Sequence, residues 1–225
     1  TNHDIMDVCG RDIMVDWFCV ARAVHPNAPL YINDFAILNP YVPGSPNHET
    51  YKQTIEYLLD QGAPVTGIGF QGHLGSNLTH PDQVYRILED FATLGLDMRV
   101  TEFDIDTADE LVQAQYTRDF MTVVFSHPRI VGFQMWGFWE GKHWRPRAAM
   151  YRKDWTEKPN AKAYKELVFN EWWTNEQGRT DADGRFVCRG FLGDYRIIVT
   201  HAGQQKSGTA VLTRDAPVLR VQLER

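Results

Sequence analysis

Four short, nearly continuous apolar runs, each ending in polar residues and each followed by a segment of helical period, restrict this chain to very few folds. The runs are PLYINDF, VTGIGFQGHL, LDMRVTEFDI and IVGFQMWGF. Runs of this kind read as strands buried on both faces, and such strands are parallel and need crossover helices between them. The intervening segments supply these helices. ETYKQTIEYLLDQG closes at Gly62, and THPDQVYRILEDFATLG opens with Thr79 as its capping residue, has Pro81 and Asp82 in its first turn and ends at Gly95. DELVQAQYTRDFMTVVFSHP separates the third and fourth strands, and KPNAKAYKELVFN comes after the fourth, beyond a Trp-rich loop. Ahead of them, Ile5, Met6, Cys9, Ile13, Trp17, Val20 and Ala21 predict one helix from Asp4 to Ala23, stopped by Pro26, with Trp17 in the core. A helix and then four strand-helix units define an α/β fold with a parallel sheet and outer helices.

After Asn170 the helical period disappears. Alternating strands are expected near Phe186, Ile197, Val211 and Val221, separated by DADG, FLGD, HAGQQKSG and RDAP. The expected organisation is therefore an α/β domain over residues 1–170 and a small all-β sandwich module over residues 171–225, with Trp172 and Trp173 packing one onto the other. DADG reads as a hairpin turn rather than a calcium loop, because the remaining positions of that motif are absent.

Composition narrows the partners. A chain of 225 residues that is 43% apolar, with seven Trp, buries a sizeable core, while a net charge of −6 without a Lys/Arg run argues against nucleic acid or an anionic membrane. No apolar stretch approaches the ~18 residues of a spanning helix, and Thr1 stands in sequence that already reads as folded, without a signal-peptide pattern. The three cysteines are scattered; on one helix Cys9 and Cys19 would lie about 15 Å apart, too far to bridge. Neither a disulfide framework nor a zinc site is expected.

In α/β barrels chemistry sits at the carboxyl ends of the strands. The first run ends in Asn33 and Asp34, the second in Gln71 and His73, the third in Glu102 and Asp104, and the fourth in Gln134 and Trp136, with Trp139, Glu140, His143, Trp144 and Arg145 beyond them. Any one of these alone reads as a capped strand end; four in succession mark a site. Glu102 and Asp104, two apart on a strand, share a face. A neutral His73 imidazole between them would orient Glu102, with Asp104 on its other nitrogen. A metal held by His73, Glu102 and Asp104 is the rival chemistry, disfavoured because no second histidine lies on a neighbouring strand end in metal-ligand spacing. Trp136, Trp139 and Trp144, among Gly137, Gly141, Lys142 and Arg145, are poor core material and suit sugar rings, whose faces are apolar and whose edges carry hydroxyls.

YINDF, GIGFQGHL, VTEFDI and WGFWEGKHWRP, in this order and spacing, resemble strands five to eight of the family 10 glycoside hydrolases, the endo-β-1,4-xylanases, over about residues 1–170. The later segment resembles the TDxxGxFxxRGFxGxY tail of some of these enzymes. The resemblance implies a (β/α)8 TIM barrel represented by its C-terminal half, with Glu102 as catalytic nucleophile, His73 supporting it and Asp104 behind His73. It places Trp136 and Trp144 at the sugar subsite where cleavage occurs, with Asn33, Gln71 and Arg145 also binding substrate. Two departures touch the groove: N-D-Y-N of the family is Asn33-Asp34-Phe35-Ala36 here, and the last loop carries Trp139 and Glu140.

The resemblance also implies groups that must come from elsewhere. The family's acid/base is the Glu of an N-E motif at the end of strand four, and TNHDIMDVCGRD matches the segment directly after that motif. This group is therefore expected upstream of residue 1; Asp34 and Glu140 are the stand-ins within the chain. Four strands cannot close an eight-stranded barrel, so the N-terminal half, on the same or a separate chain, is an expected partner, and residues 1–225 alone are expected to be inactive. The expected substrates are xylan or xylo-oligosaccharides, with no metal and no cofactor. The alternatives are a carbohydrate-binding protein without catalysis and a retaining hydrolase of another β-1,4-glycan. A polymeric substrate implies a secreted, extracellular enzyme.

Overall fold

A computed structural model describes residues 5–39, 46–215 and 218. The chain divides into two compact units, Thr1–Tyr164 and Lys165–Arg225. In the first, helices α1 (Ile5–Cys9) and α2 (Ile13–Val24) precede strand β1 (Tyr31–Asp34), helix α3 (Pro46–Asp60), strands β2 (Gly67–Phe70) and β3 (His73–Leu74), helix α4 (Pro81–Ala92), strand β4 (Asp97–Ile105), helix α5 (Glu110–Ser126) and strand β5 (Ile130–Met135). Helix α6 (Pro159–Glu166) then continues into a π-helical turn, Leu167–Glu171.

All pairings of this sheet are parallel. β1 pairs with β2, β2 with β4 and β4 with β5, and the short β3 extends the line of β2 along the far end of β4, with His73 in register with Asp104. Among the described residues β1 has only β2 as a hydrogen-bonded neighbour and β5 only β4, so the sheet is open on both sides.

One face of the sheet builds the core with the helices. Ile68, Phe70, Met98, Val100, Phe103 and Ile105 meet Ile55 from α3, Val84, Ile87, Leu88 and Phe91 from α4, and Tyr116, Phe120 and Val124 from α5. The four α4 residues recur at helical spacing, and each such side chain contributes roughly 1.5–3 kcal/mol on burial. Phe103 and Phe120 stack with ring centroids 4.5 Å apart. Strict alternation would carry Phe103 away from Met98 and Val100, but a register shift between Val100 and Phe103 restores it to the core side. That irregularity leaves Thr101, Glu102 and Asp104 free for the other face.

Several local expectations are corrected. The first helix is two, broken at Gly10 with φ 82°, so Cys9 and Cys19 lie on different helices, both exposed. α2 has no buried residue and Trp17 is 45% exposed, because an apolar stripe declares that a partner is needed without supplying one; Met14, Val15 and Phe18 alone reach a small cluster with Leu58, Ala63 and Val65. The second strand is interrupted at Gly72, where φ is 83°. His80, not Thr79, caps α4, accepting the Asp82 amide, because the Thr79 hydroxyl is drawn to the buried carbonyl of Leu38 at 2.7 Å. Asp109 caps α5 by accepting the Leu111 and Val112 amides.

The second unit contains, among the described residues, one antiparallel pair, β6 (Gly193–His201) and β7 (Gln204–Leu212), rather than a sandwich of two sheets. The expected strand near Phe186 is absent, and Val221 lies outside the described residues. The turn is only Ala202-Gly203, both at positive φ (48° and 80°), the type that matches strand twist; Gln204 to Gly208 therefore belong to β7 and not to a loop. At DADG the Asp181 carboxylate accepts the amides of Asp183 and Arg185, a side-chain-stabilised turn.

Candidate active site

The carboxyl ends of β1 to β5 bring one constellation together. β1 contributes Asn33, whose Oδ1 receives the Thr101 hydroxyl at 2.8 Å, fixing the amide so that Nδ2 donates to Glu102 Oε1 at 3.3 Å. The Asn33 amide lies flat across β2 only because residue 69 is glycine; a Cβ there would overlap Oδ1. The other oxygen of Glu102 meets His73 Nε2 at 3.2 Å. Each Glu102 oxygen thus has its own N–H partner, and the carboxylate is fixed in plane and direction.

Behind His73 stands Asp104, 1% exposed, with Oδ2 3.0 Å from His73 Nδ1, 2.7 Å from the Trp144 indole nitrogen and 3.8 Å from His143 Nε2. A buried carboxylate persists only when it is paired in this way. Both nitrogens of His73 therefore face carboxylates. Burial alone pushes its pKa down, but the contact and charge of Asp104, then of Glu102, outweigh burial and raise it above the ordinary 6.5. The ring therefore keeps a proton to higher pH than a free imidazole does.

The same balance makes stability depend on pH. A raised folded pKa means that the His73 contribution is fully present below about pH 6.5 and is lost as pH rises through the folded value. The thermal-stability difference between the parent and His73→Gln should therefore be largest near pH 5.5 and shrink towards pH 9. A difference constant over that range would show that the ring has the same pKa folded and unfolded.

The walls of the site are aromatic. The His73 ring lies 6.0 Å from Trp136 and 4.8 Å from Trp144, both edge-on, and the tryptophans are 45% and 55% exposed. Arg145 covers the Trp144 ring at 4.1 Å. With Phe35, Ala36, Asn39, Gln71 and His73 they line a groove of about 470 Å³. Ala36, where the family pattern has Asn, sits in the left-handed region at φ 61°, a conformation that asparagine tolerates better than alanine.

Three sequence candidates fall elsewhere. Asp34 alternates to the face opposite Asn33, accepts the Phe35 amide at 2.7 Å and adds its charge to the burial that raises the pKa of the Tyr51 phenol; its own pKa is raised by burial, which the Phe35 bond opposes. Glu140 accepts the Lys153 amide at 3.0 Å, and Trp139 stacks on Trp155 with centroids 5.5 Å apart, so both belong to the braced 139–157 loop. Among the described residues none that lines the groove is a carboxylate. Conversely, His143 and Thr101 take part in the constellation although the residue pattern gives neither of them a role in it. Thr101 is hidden because adjacent strand residues normally point to opposite faces, and only the register shift overrides that. Among the described residues no group of three His, Cys, Asp or Glu side chains is placed to hold a metal ion.

The model of the family described as glycosyl hydrolase family 10 matches residues 2–168. The chain is 35% identical over 204 residues to the anti-sigma-I factor RsgI6 of Acetivibrio thermocellus, covering 88% of this chain and 25% of that protein. It is 32% identical over 200 residues to endo-1,4-beta-xylanase 1 of Arabidopsis thaliana, covering 89% and 21%. The crystal structure of xylanase 10B from Thermotoga petrophila matches with a TM-score of 0.63 at 27% identity, over 72% of this chain and 53% of that one. The chain thus spans about half of the solved xylanase and a fifth to a quarter of these curated relatives. The solved relatives imply a (β/α)8 barrel, to which the parallel sheet with its crossover helices conforms. From the match over residues 2–168, the chain belongs to glycosyl hydrolase family 10.

Proposed function

We propose that this chain is part of a retaining endo-β-1,4-xylanase, and that its four parallel strand lines are the C-terminal half of the barrel. The observation that carries the reading is Glu102, each oxygen held by a separate N–H donor, beside a groove walled by Trp136 and Trp144. Glu102 attacks the anomeric carbon of a xylosyl unit while a second carboxyl group, a Glu on the complementing barrel half, protonates the departing glycosidic oxygen. In the covalent glycosyl-enzyme Glu102 has lost its charge, and His73 keeps only Asp104 as a charged partner. The second Glu, now a base, takes a proton from water; the water oxygen bonds to the anomeric carbon, and the Glu102 ester bond breaks. Double displacement of this kind needs the two carboxyl groups about 5–5.5 Å apart.

Trp136 and Trp144 would face the apolar sides of sugar rings, with Asn33, Gln71 and Arg145 available to hydroxyls. The Thermotoga petrophila structure is a complex with xylobiose, which supports xylo-oligosaccharides as the ligand class. A polymeric substrate of this size is met outside the cell, so we place the complete enzyme there. A second reading, carbohydrate binding without turnover, is favoured by the likeness to a relative that bears the name of an anti-sigma factor. The two separate in one experiment. The complete protein, given a xylo-oligosaccharide and monitored by proton NMR, should release new reducing ends first as the β-anomer. The α-anomer first would mean inversion, and binding without hydrolysis would support the second reading.

A further inference from the structure

We propose that His143 is a positioning residue that sets the separation of Trp136 and Trp144, the two plates of the groove; this rests on the groove being the sugar site. Its side chain is 0% exposed, and each ring nitrogen has a defined backbone partner. Nε2 lies 2.6 Å from the carbonyl oxygen of Trp136, and Nδ1 accepts the amide of Arg145 at 3.0 Å. A carbonyl can only accept and an amide can only donate, so the proton sits on Nε2 and Nδ1 is bare. The ring is thus a strut from Trp136, the residue that follows β5, to the residue just past Trp144.

The surroundings are shaped for this strut. Gly137 adopts φ 65°, and a Cβ on it would stand 2.6 Å from His143 Cδ2, so the ring is pressed directly against the chain leaving the strand. The His143 amide also donates to the carbonyl of Trp139 at 3.0 Å, closing the turn that brings the ring inward. Both tryptophans are substantially exposed, and an exposed plate grips a ligand well only if its backbone does not drift. Holding Trp144 also keeps its indole N–H on Asp104, 2.7 Å away, and Asp104 in turn faces His73. The strut therefore acts on substrate binding first and on Glu102 only indirectly, through Asp104, 3.8 Å from its Nε2, and His73.

Two substitutions cut the strut at different ends. In His143→Asn the side-chain oxygen can still accept the amide two residues ahead, an Asx-type turn, but the link to Trp136 is lost. In His143→Gln the longer amide can still donate to Trp136, but the Arg145 link is lost. In the complete enzyme, each should raise KM for xylo-oligosaccharides about tenfold, with a smaller fall in kcat. In a Trp144→Ala background, which itself raises KM, His143→Asn should add less than about twofold, because the plate it positions is gone. A purely structural role would lower Tm and leave the KM of the folded enzyme unchanged.

A KM within about twofold of the parent in either folded variant would overturn the proposal. So would an undiminished effect in the Trp144→Ala background, or failure of both variants to fold, which would make His143 a folding residue. Trp144→Ala with an unchanged KM would instead overturn the sugar-site reading on which the proposal rests.

Discussion

Glu102→Gln should leave the complete enzyme folded and lower its turnover of xylan by about 10⁴-fold or more, some 5.5 kcal/mol of transition-state stabilisation. The amide nearly matches the carboxylate in size, but it is too weak a nucleophile to form the glycosyl ester. Its cost to stability is small and has an identifiable source. Asn33 Nδ2 and His73 Nε2 each offer a proton to a different Glu102 oxygen, whereas glutamine has one acceptor oxygen and would turn a donor towards the other. One mismatched donor costs about 1–3 kcal/mol, visible as a modest drop in Tm. Activity within about tenfold of the parent, less than roughly 1.4 kcal/mol, would remove Glu102 from the nucleophile's role.

The second large effect concerns the other half of the barrel. Residues 1–225 alone should show no measurable xylanase activity, and addition of the complementing half should restore it. Two independent facts lead there. Among the described residues no carboxyl group lines the groove to serve as the second carboxyl, and Asp34 and Glu140, the two stand-ins, are turned to other partners; lack of an acid costs on the order of 10²–10⁴ in rate. The sheet is also open at β1 and β5 and α2 presents Trp17, Val20 and Val24 to solvent, so strands and helices of a partner have a place to dock. Sedimentation and xylan assays with and without the complementing half read both consequences. A monomeric, well-folded fragment that cleaves xylan unaided would contradict the half-barrel reading.

Much of the site is legible in the residues because strand-end chemistry survives errors in element boundaries. Simple alternation places Glu102 and Asp104 on one face, and both do meet the ring of His73. The groove tryptophans are identifiable as loop aromatics among glycines, a setting in which core packing is implausible. Three features are not legible, each for a physical reason. Thr101 joins Glu102 on the inner face through a register shift that no residue pattern announces. His143 looks like one more polar loop residue, and its value lies in backbone partners that only the folded loop supplies. The protonation of His73 depends on two carboxylates lying within hydrogen-bonding distance of its ring at once, a balance of burial against charge that sequence spacing does not fix. The helical stripe of α2 is amphipathic, as its period predicts, but it is not covered, since periodicity gives the face and not what lies against it.

The most direct test of the central claim is to trap the glycosyl-enzyme. The complete protein is treated with a 2-deoxy-2-fluoro-xylobioside carrying a good leaving group, which slows release of the covalent intermediate, then digested with trypsin and analysed by mass spectrometry. Cleavage after Arg99 and Arg118 places Glu102 in the peptide VTEFDIDTADELVQAQYTR. One fluoroxylobiosyl adduct is expected on that peptide, localised to Glu102 by fragmentation and absent from Glu102→Gln. An adduct on another carboxylate, or steady turnover of the reagent with no adduct at any point, would contradict Glu102 as the nucleophile.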